Sequence, residues 1–133
     1  MSSAAAEDLV GVPLFADLEP DERESLASWF EVQDISADVK LTGEGASGYS
    51  FFVLREGTAT VTIDGNEVRT LKPGDFFGEL AILGDGRRTA TVTTTSPVRV
   101  LVLFGTEFRQ LQQEYPELAA QIESRLRAVA QAA

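Results

Sequence analysis

Residues 73–92 read PGDFFGELAILGDGRRTATV, and they carry the most informative pattern in the chain. The segment 73–75 is a turn signal, so the chain should reverse there before an aromatic pair. Gly78 then leads into the good helix formers of 79–83, which a second glycine ends after about one turn. The β-branched run 89–95 that follows two arginines favours a strand. The stretch therefore predicts a turn, a short helix and a strand in succession.

Gly78 and Arg88 together predict a site for an anion. A glycine before a short helix leaves free backbone N–H groups at the helix N-terminus, and without a Cβ it lets a ligand approach the backbone. The planar guanidinium of Arg88 matches the oxygens of a phosphate. Glu79 would repel a phosphate, but its carboxylate can accept a hydrogen bond from a ligand hydroxyl. A ligand with one phosphate and a neighbouring hydroxyl is a nucleotide.

The same residues resemble the phosphate-binding cassette of the cyclic nucleotide-binding domains. That cassette has the form F-G-E-aliphatic-Ala, six residues, and then R-(Ala/Ser/Thr)-A; here its first part begins at Phe77 and its second at Arg88. The resemblance implies that Arg88 binds the cyclic phosphate and that Glu79 binds the ribose 2′-hydroxyl, while backbone N–H groups complete the phosphate site. The other interpretation is an ordinary turn between strands with a solvated Arg87-Arg88 pair. The implied ligand-binding residues are Gly78, Glu79, Leu80, Ala81, Arg88, Thr89 and Ala90, with the backbone N–H groups from Leu80, Ala81 and Ala90.

Thr89 bears on the choice of nucleobase. By resemblance, a threonine after the key arginine favours cGMP in some family members by contacting the guanine, whereas bacterial members with serine or threonine there often take cAMP. We therefore expect cAMP as the ligand, with cGMP as the second candidate. The alternative to a nucleotide sensor is a protein-docking module that has the same fold and binds no nucleotide.

The chain lacks both cysteine and histidine. It therefore has no disulfide framework, no thiolate chemistry and neither of the commonest side-chain ligands of zinc. Its acidic residues are not spaced as in a calcium-binding EF-hand loop. Asp75 and Glu79 are the only candidate carboxylate pair near the cassette, so an enzymatic function has little support. We expect a binding module with no metal and no catalytic activity.

The negative charge is concentrated near the N-terminus. Residues 1–38 hold ten acidic side chains and one basic one, whereas the remaining residues hold eleven and ten, so nearly all of the formal charge of −10 lies in that segment. The sequence offers no basic stripe for direct nucleic-acid binding, no apolar run long enough to cross a membrane and no secretory signal, so we expect a cytoplasmic protein. The acidic segment is either a solvated helix face or a surface for a basic partner.

Short apolar and β-branched segments separated by turns fill the middle of the chain. The turn 64–66 is a strong hairpin signal, and the regular spacing of the strands favours a closed or sandwiched antiparallel structure. Residues 43–48 spell G-x-G-x-x-G, but strand-like residues follow them where a dinucleotide-binding unit needs a helix. The predicted fold is α+β, mainly β: an antiparallel jelly-roll barrel with a short phosphate-binding helix inserted between strands. The predicted strands are 32–36, 40–42, 50–55, 58–63, 67–71, 89–95 and 98–104.

Helices are predicted on both sides of the barrel. Pro20 suits the first position of an N-terminal helix, Thr106 can cap a first C-terminal helix, and Pro116 can start a second. The resemblance implies that the last two are a hinge helix and a lid that closes over the bound base. A helix simply packed on the barrel and a homodimer seam are the open alternatives. The predicted single domain, 1–133, comprises a flexible N-terminus (1–13), a helical segment (14–30), the barrel (31–104) with its cassette (76–90) and C-terminal helices (105–133).

A sensor of this kind needs something to act on. We expect a protein partner or an effector domain to respond through the C-terminal helix. The chain is either a lone sensor that acts on a separate partner or a piece of a longer protein.

Overall fold

The structure is a computed structural model, and it describes most of the chain. The described residues are 2–4, 6–10, 12–16, 18–42, 50–78 and 90–132. None of the helices in these ranges is long and apolar enough to cross a membrane.

Among the described residues, three short helical segments precede all strands but the first, and two longer helices follow the last strand. The helical elements are α1 (Ala6–Leu9), a 3-10 turn (Pro13–Phe15), α2 (Pro20–Ala27), α3 (Gly105–Glu114) and α4 (Pro116–Ala132). The strands are β1 (Ser2–Ser3), β2 (Glu31–Ile35), β3 (Lys40–Thr42), β4 (Ser50–Glu56), β5 (Ala59–Ile63), β6 (Asn66–Leu71), β7 (Phe76–Phe77), β8 (Thr91–Thr94) and β9 (Val98–Phe104).

The described strands form two antiparallel sheets. Sheet A has the order β1-β2-β9-β4-β7, and sheet B has the order β3-β8-β5-β6. The chain crosses repeatedly between the sheets, as in a jelly roll, and helices cover the outer face of sheet A. The predicted class and architecture are therefore confirmed, with two facing sheets in place of a single closed barrel.

Strand β4 shows why the core has two parts. Phe51 and Val53 belong to a helical cluster between sheet A and the helices, whereas Phe52 and Leu54 belong to an inter-sheet cluster between the two sheets. Successive side chains of a strand point to opposite faces, so a strand buried on both faces must be apolar throughout. The helical cluster contains Ala4, Leu9, Val12, Leu14, Phe15, Leu18, Leu26, Ala27, Phe30, Phe51, Val53, Leu101, Leu103, Phe108, Leu111, Leu118, Ala119, Ile122 and Leu126. The inter-sheet cluster contains Phe52, Leu54, Ala59, Val61, Leu71, Phe77, Val92, Val98, Val100 and Val102.

The β5–β6 hairpin projects beyond the core. Asp64 and Gly65 both have positive φ angles, 53° and 78°, as a two-residue type I′ turn requires, so the predicted hairpin turn is confirmed. On β6, residues 66–70 are all exposed, and only Leu71 is buried. The hairpin therefore presents both of its faces beyond the packed part of sheet B.

The N-terminal segment contacts both sheet A and the helical cluster. Ser2 and Ser3 pair with Val32 and Glu31 at the edge of sheet A. Further along, Leu9 is fully buried in the helical cluster. Pairing satisfies the free backbone groups of the sheet edge, and burial of apolar side chains stabilises the segment.

The start of α3 corrects one expectation. Thr106 does not cap this helix, because the helix begins at Gly105 with Phe104 at the N-cap position and without a side-chain cap. Strand β9 ends at Phe104 and runs directly into the helix, so no loop residue is left to act as the cap. By contrast, Pro20 and Pro116 begin α2 and α4 as predicted.

Candidate functional site

The aromatic pair of β7 fixes the start of the cassette to β4, the neighbouring strand of sheet A. Phe77 pairs with Phe52, and their rings stack with centroids 4.7 Å apart and planes 8° apart. Phe76 faces the opposite side of the sheet, where its ring lies 5.7 Å from that of Phe51. The two rings therefore anchor β7 on both faces of sheet A, with Phe76 in the helical cluster and Phe77 in the inter-sheet cluster.

Gly78 follows this pair in a conformation that other residues rarely adopt. Its φ angle is +79°, in the left-handed region, and it is half-buried where β7 ends at the edge of sheet A. Glycine reaches this region without steric cost, and its missing Cβ leaves the backbone open to a ligand. The local geometry thus explains why a glycine follows Phe77 in the cassette.

Asp75 is occupied in the turn that precedes β7. One of its carboxylate oxygens accepts a hydrogen bond of 2.9 Å from the backbone N–H of Lys72, and the other lies 3.6 Å from the ammonium of the same residue. The backbone of the turn is bonded to β4, since Leu54 donates to the carbonyl of Asp75 and Gly74 donates to that of Leu54, each at 2.8 Å. The Asp75 carboxylate therefore has a structural role, which weakens the case for a catalytic pair with Glu79.

Ala90 marks the other end of the cassette. It is half-buried against the inter-sheet cluster, directly before β8. In sheet B, Thr91 pairs with Thr62 and Val92 pairs with Val61. The chain therefore leaves sheet A at Gly78 and joins sheet B at Ala90, so the cassette connects the two sheets.

Of the seven predicted ligand-binding residues, Gly78 and Ala90 are described. The other five lie outside the described residues: Glu79, Leu80, Ala81, Arg88 and Thr89. Their roles remain predictions.

Arg69 is a residue near this site that sequence reasoning missed. It pairs with Val61 on β5, which pairs in turn with Val92 on β8, two residues after Ala90. The signal that could have found it is the alternation along β6, which places Arg69 on the same face as buried Leu71. A charged residue at an apolar position of the pattern calls for a partner.

The C-terminal helix α4 packs on the helical cluster. Leu118, Ile122 and Leu126 are buried there, and Arg125 Nη1 donates to the carbonyl of Leu14 in the 3-10 turn at 3.5 Å. This cluster lies on the face of sheet A that is opposite to the inter-sheet cluster. In this structure α4 is thus packed on the helical cluster. Its closure as a lid over the base stays a prediction.

An open groove of about 390 Å³ lies at the end of β4 that carries Glu56, whereas Gly78 lies near the Ser50 end. Arg99 pairs there with Asp34 at 2.8 Å and lies 3.8 Å from Glu56. The hydrogen bond and charge of Arg99 lower the pKa of Asp34. Within the part of the chain that the structure describes, no three acidic side chains are grouped to hold a metal ion.

Comparisons with known proteins identify the family of the domain. The family model for the cyclic nucleotide-binding domain matches residues 33–115. Over 102 residues the chain is 40% identical to a cAMP-dependent protein kinase regulatory subunit of Neurospora crassa, and the match covers 75% of this chain and 26% of the relative. Over 118 residues it is 33% identical to the cGMP-dependent protein kinase, isozyme 1, of Drosophila melanogaster, with coverage of 83% and 15%.

A solved structure shows the same fold. The structure of PKAR CBD2 bound to Sp-2Cl-cAMPS matches with a TM-score of 0.82 and 28% identity, over 95% of this chain and 82% of that one. The chain spans only about a quarter or less of the length of the curated relatives named above. The family match begins within β2, at residue 33, ends just after α3, at residue 115, and includes the predicted cassette. The chain therefore belongs to the cyclic nucleotide-binding domain family.

Proposed function

We propose that this chain is a reversible cyclic-nucleotide sensor that catalyses no reaction. The observation that carries the proposal is the placement of the two described cassette residues. Gly78 takes a left-handed conformation where β7 leaves sheet A, and Ala90 packs on the inter-sheet cluster where the chain joins β8. Both ends of the cassette are thus held by packed strands, so the residues between them act from a fixed frame.

The chemistry proposed for the cassette is electrostatic and directional. Arg88 neutralises the cyclic phosphate through its planar set of donors, and Glu79 accepts a hydrogen bond from the ribose 2′-hydroxyl. Backbone N–H groups of Leu80, Ala81 and Ala90 complete the phosphate site. Thr89 lies next to the base. These contacts recognise a cyclic phosphate next to a free hydroxyl, which a linear nucleotide does not present in the same way.

The names of the relatives support cAMP as the ligand. The relative from Neurospora crassa is a cAMP-dependent regulatory subunit, and the matched structure holds a cAMP analogue. The relative from Drosophila melanogaster is a cGMP-dependent kinase, so cGMP is the second candidate. By the same likeness, we propose that the sensor regulates a protein partner or an attached effector.

The C-terminal helix is the proposed output. Ligand binding would order the cassette and shift α4 from its packing on the helical cluster, so that a partner meets a different surface. The ligand can move this equilibrium only by the difference between its affinities for the two states. Movement of α4 would break the contact between Arg125 and Leu14.

Isothermal titration calorimetry with cAMP and then with cGMP tests the proposal. We expect saturable binding at micromolar concentration or tighter. An uncompensated buried phosphate costs about 2–5 kcal/mol, so Arg88→Ala should weaken binding by about 1.5 to 4 decades. Arg87→Ala is the matched control and should change the affinity little, because a rim charge adds mainly long-range attraction.

Two outcomes would overturn the proposal. Absence of heat with either nucleotide, together with an unchanged melting temperature, would favour a docking module that binds no nucleotide. If Arg88→Ala binds like the unmodified chain, the assignment of the cassette is wrong. Chromatography of the nucleotide after prolonged incubation would reveal turnover, which a sensor should not show.

A further inference from the structure

We propose that the open groove at the Glu56 end of β4 docks a basic segment of a partner protein, in which arginine or lysine stands beside an aliphatic side chain. This inference goes beyond the proposed function, because it concerns a surface that the nucleotide does not use. It depends on the lining of the groove, on the charges around it and on the contacts that hold its walls.

The groove and the start of the cassette lie at different positions along β4. Phe77, which precedes Gly78, pairs with Phe52, whereas Glu56 is the last residue of the same strand. Each residue of an extended strand adds about 3.3 Å, so Phe52 and Glu56 are roughly 13 Å apart. The groove is therefore a separate surface from the start of the cassette.

Two of the turns that border the groove are packed tightly against each other. Gly57 has a φ angle of +88°, and a Cβ there would lie 2.3 Å from the carbonyl oxygen of Pro97 and 2.8 Å from Oγ of Ser96. Glycine alone allows both this conformation and this close approach. The same Oγ accepts a hydrogen bond of 3.0 Å from the backbone N–H of Thr58. The turns at 57–58 and 96–97 are thus held together as one unit.

The third wall, at the end of β2, is held by a buried threonine. Thr94 is fully buried, and its hydroxyl donates to the carbonyl of Ser36 at 2.7 Å and accepts from the backbone N–H of Val39 at 2.8 Å. The backbone N–H of Thr94 donates in turn to the carbonyl of Val39 at 2.9 Å. Walls that are already ordered lower the conformational entropy that docking costs.

The more buried part of the lining is apolar, and its exposed part is acidic. Ile35 pairs with Val98 across β2 and β9, and both side chains pack with the inter-sheet cluster. The side chains of Asp34 and Glu56 are 67% and 69% exposed. Among the described residues that line the groove, none is basic. These residues are Asp34, Ile35, Ser36, Glu56, Pro97 and Val98.

The two carboxylates are only partly neutralised. Arg99 Nε lies 2.8 Å from Asp34 Oδ1 and 3.8 Å from Glu56 Oε2, so one guanidinium serves both carboxylates. The pKa of Arg99 is raised, first by the hydrogen bond to Asp34 and then by the charges of Asp34, Glu56 and Asp8. A separation of 3.8 Å is too long for a hydrogen bond, and in the described part of the chain the Glu56 carboxylate accepts none. Its oxygens are therefore available to the donors of a basic side chain.

These features select the chemistry of the occupant. The acidic side chains attract arginine or lysine and repel an acidic segment or the phosphates of a nucleic acid. Ion pairs between exposed groups contribute little by themselves, so an aliphatic side chain against Ile35 and Val98 has to supply much of the affinity. The volume of about 390 Å³ is at the lower end of the range for binding pockets, which suits a short segment of chain.

NMR titration of the nitrogen-15-labelled full chain with the peptide acetyl-Arg-Leu-Arg-amide tests the inference. We expect saturable shift changes at the residues that line the groove, with a dissociation constant of about 1 mM or tighter. Replacement of the central leucine by serine should weaken binding by about 3- to 10-fold, because it removes the apolar contact. The peptide acetyl-Glu-Leu-Glu-amide should not bind.

Reversal of one charge in the groove separates docking from general attraction to an acidic protein. Glu56→Lys should weaken binding of the arginine peptide by about 3- to 10-fold, since it replaces an attraction by a repulsion. Glu24→Lys, at an exposed position of α2, is the matched control because it makes the same change in net charge. It should weaken binding by less than about twofold. Both residues are exposed, so the variants should fold, and their melting temperatures check this.

The other outcomes would overturn the inference. Equal losses in the two lysine variants would show attraction to the net charge alone, and absence of binding by the unmodified chain would show that the groove docks no such segment. Shift changes of the same residues on dilution without peptide would identify a second copy of the chain as the occupant. Calorimetry of Glu56→Lys with cAMP should match the unmodified chain, so failure of this inference leaves the proposed function intact.

Discussion

Phe77 stacks on Phe52 with the ring centroids 4.7 Å apart, and this contact ties the residue before Gly78 to β4, an interior strand of sheet A. The next side chain back, Phe76, faces the helical cluster instead. The start of the cassette is therefore anchored in both parts of the core. Through Phe76, it also touches the cluster on which the N-terminal and C-terminal helices pack.

Loss of the stacked ring should destabilise the domain strongly. We expect Phe77→Ala to lower the free energy of unfolding by about 3–5 kcal/mol, because removal of a buried ring loses the free energy of its burial and leaves a cavity. Phe76→Ala is the matched control and should cost less, since Phe76 is only half-buried. Urea unfolding followed by circular dichroism measures both. Equal losses in the two variants would contradict a special role for the stacked pair.

Glu79→Ala should weaken binding less than Arg88→Ala. The expected loss is about 1.5–3 kcal/mol, or about 10- to 150-fold, because a hydrogen bond is lost while a charge that repels the phosphate is also removed. The 2′-deoxy form of the cyclic nucleotide removes the other partner of the same bond. The unmodified chain should bind it at least as weakly as Glu79→Ala binds the complete ligand, and Glu79→Ala should lose no further affinity for the deoxy ligand. If calorimetry shows that the losses of binding free energy from Glu79→Ala and from the deoxy ligand add together, Glu79 does not bind the 2′-hydroxyl.

Movement of the helices should change the emission of the single tryptophan. Trp29 is half-buried against the helical cluster and is the only tryptophan in the chain. If binding shifts this cluster, the fluorescence of Trp29 should change with the same dissociation constant as calorimetry gives. Arg88→Ala at the same ligand concentration is the control without binding. Unchanged emission, with unchanged hydrogen exchange in α4, would show that the ligand binds without moving the helix.

The pair formed by Asp34 and Arg99 predicts a modest dependence of stability on pH. The hydrogen bond from Arg99 holds the pKa of Asp34 below its ordinary value of 3.8. Because the folded pKa is lowered, the stabilisation is present above the unfolded pKa and is lost as the pH falls through the folded one. Carbon-13 NMR titration of the carboxyl should show a return to the ordinary pKa in Arg99→Gln. Arg127→Gln, whose partner is Glu123, should leave the pKa of Asp34 unchanged.

The strands and helices were largely predictable because their signals are local. The seven predicted strands match observed strands with small differences at their ends, since apolar and β-branched runs between turns favour extended backbone. The hairpin turn at 64–65 needed only positive φ angles that the Asp-Gly pair tolerates. The two-residue strands β1 and β7 were missed, because segments so short carry no periodic pattern.

Sequence alone was enough to predict the cassette motif, the kind and order of the main elements, and the family. These features depend on which residue types occur at which spacing along the chain, and they can be recognised without knowing the contacts between distant residues. Three features needed the folded chain: Phe76 and Phe77 anchor opposite faces, the N-terminus pairs with the edge of sheet A, and Arg69 shares the inner face of sheet B with Leu71. Each of these depends on strand register between residues distant in sequence, and a shift of one residue would have turned every side chain to the other face.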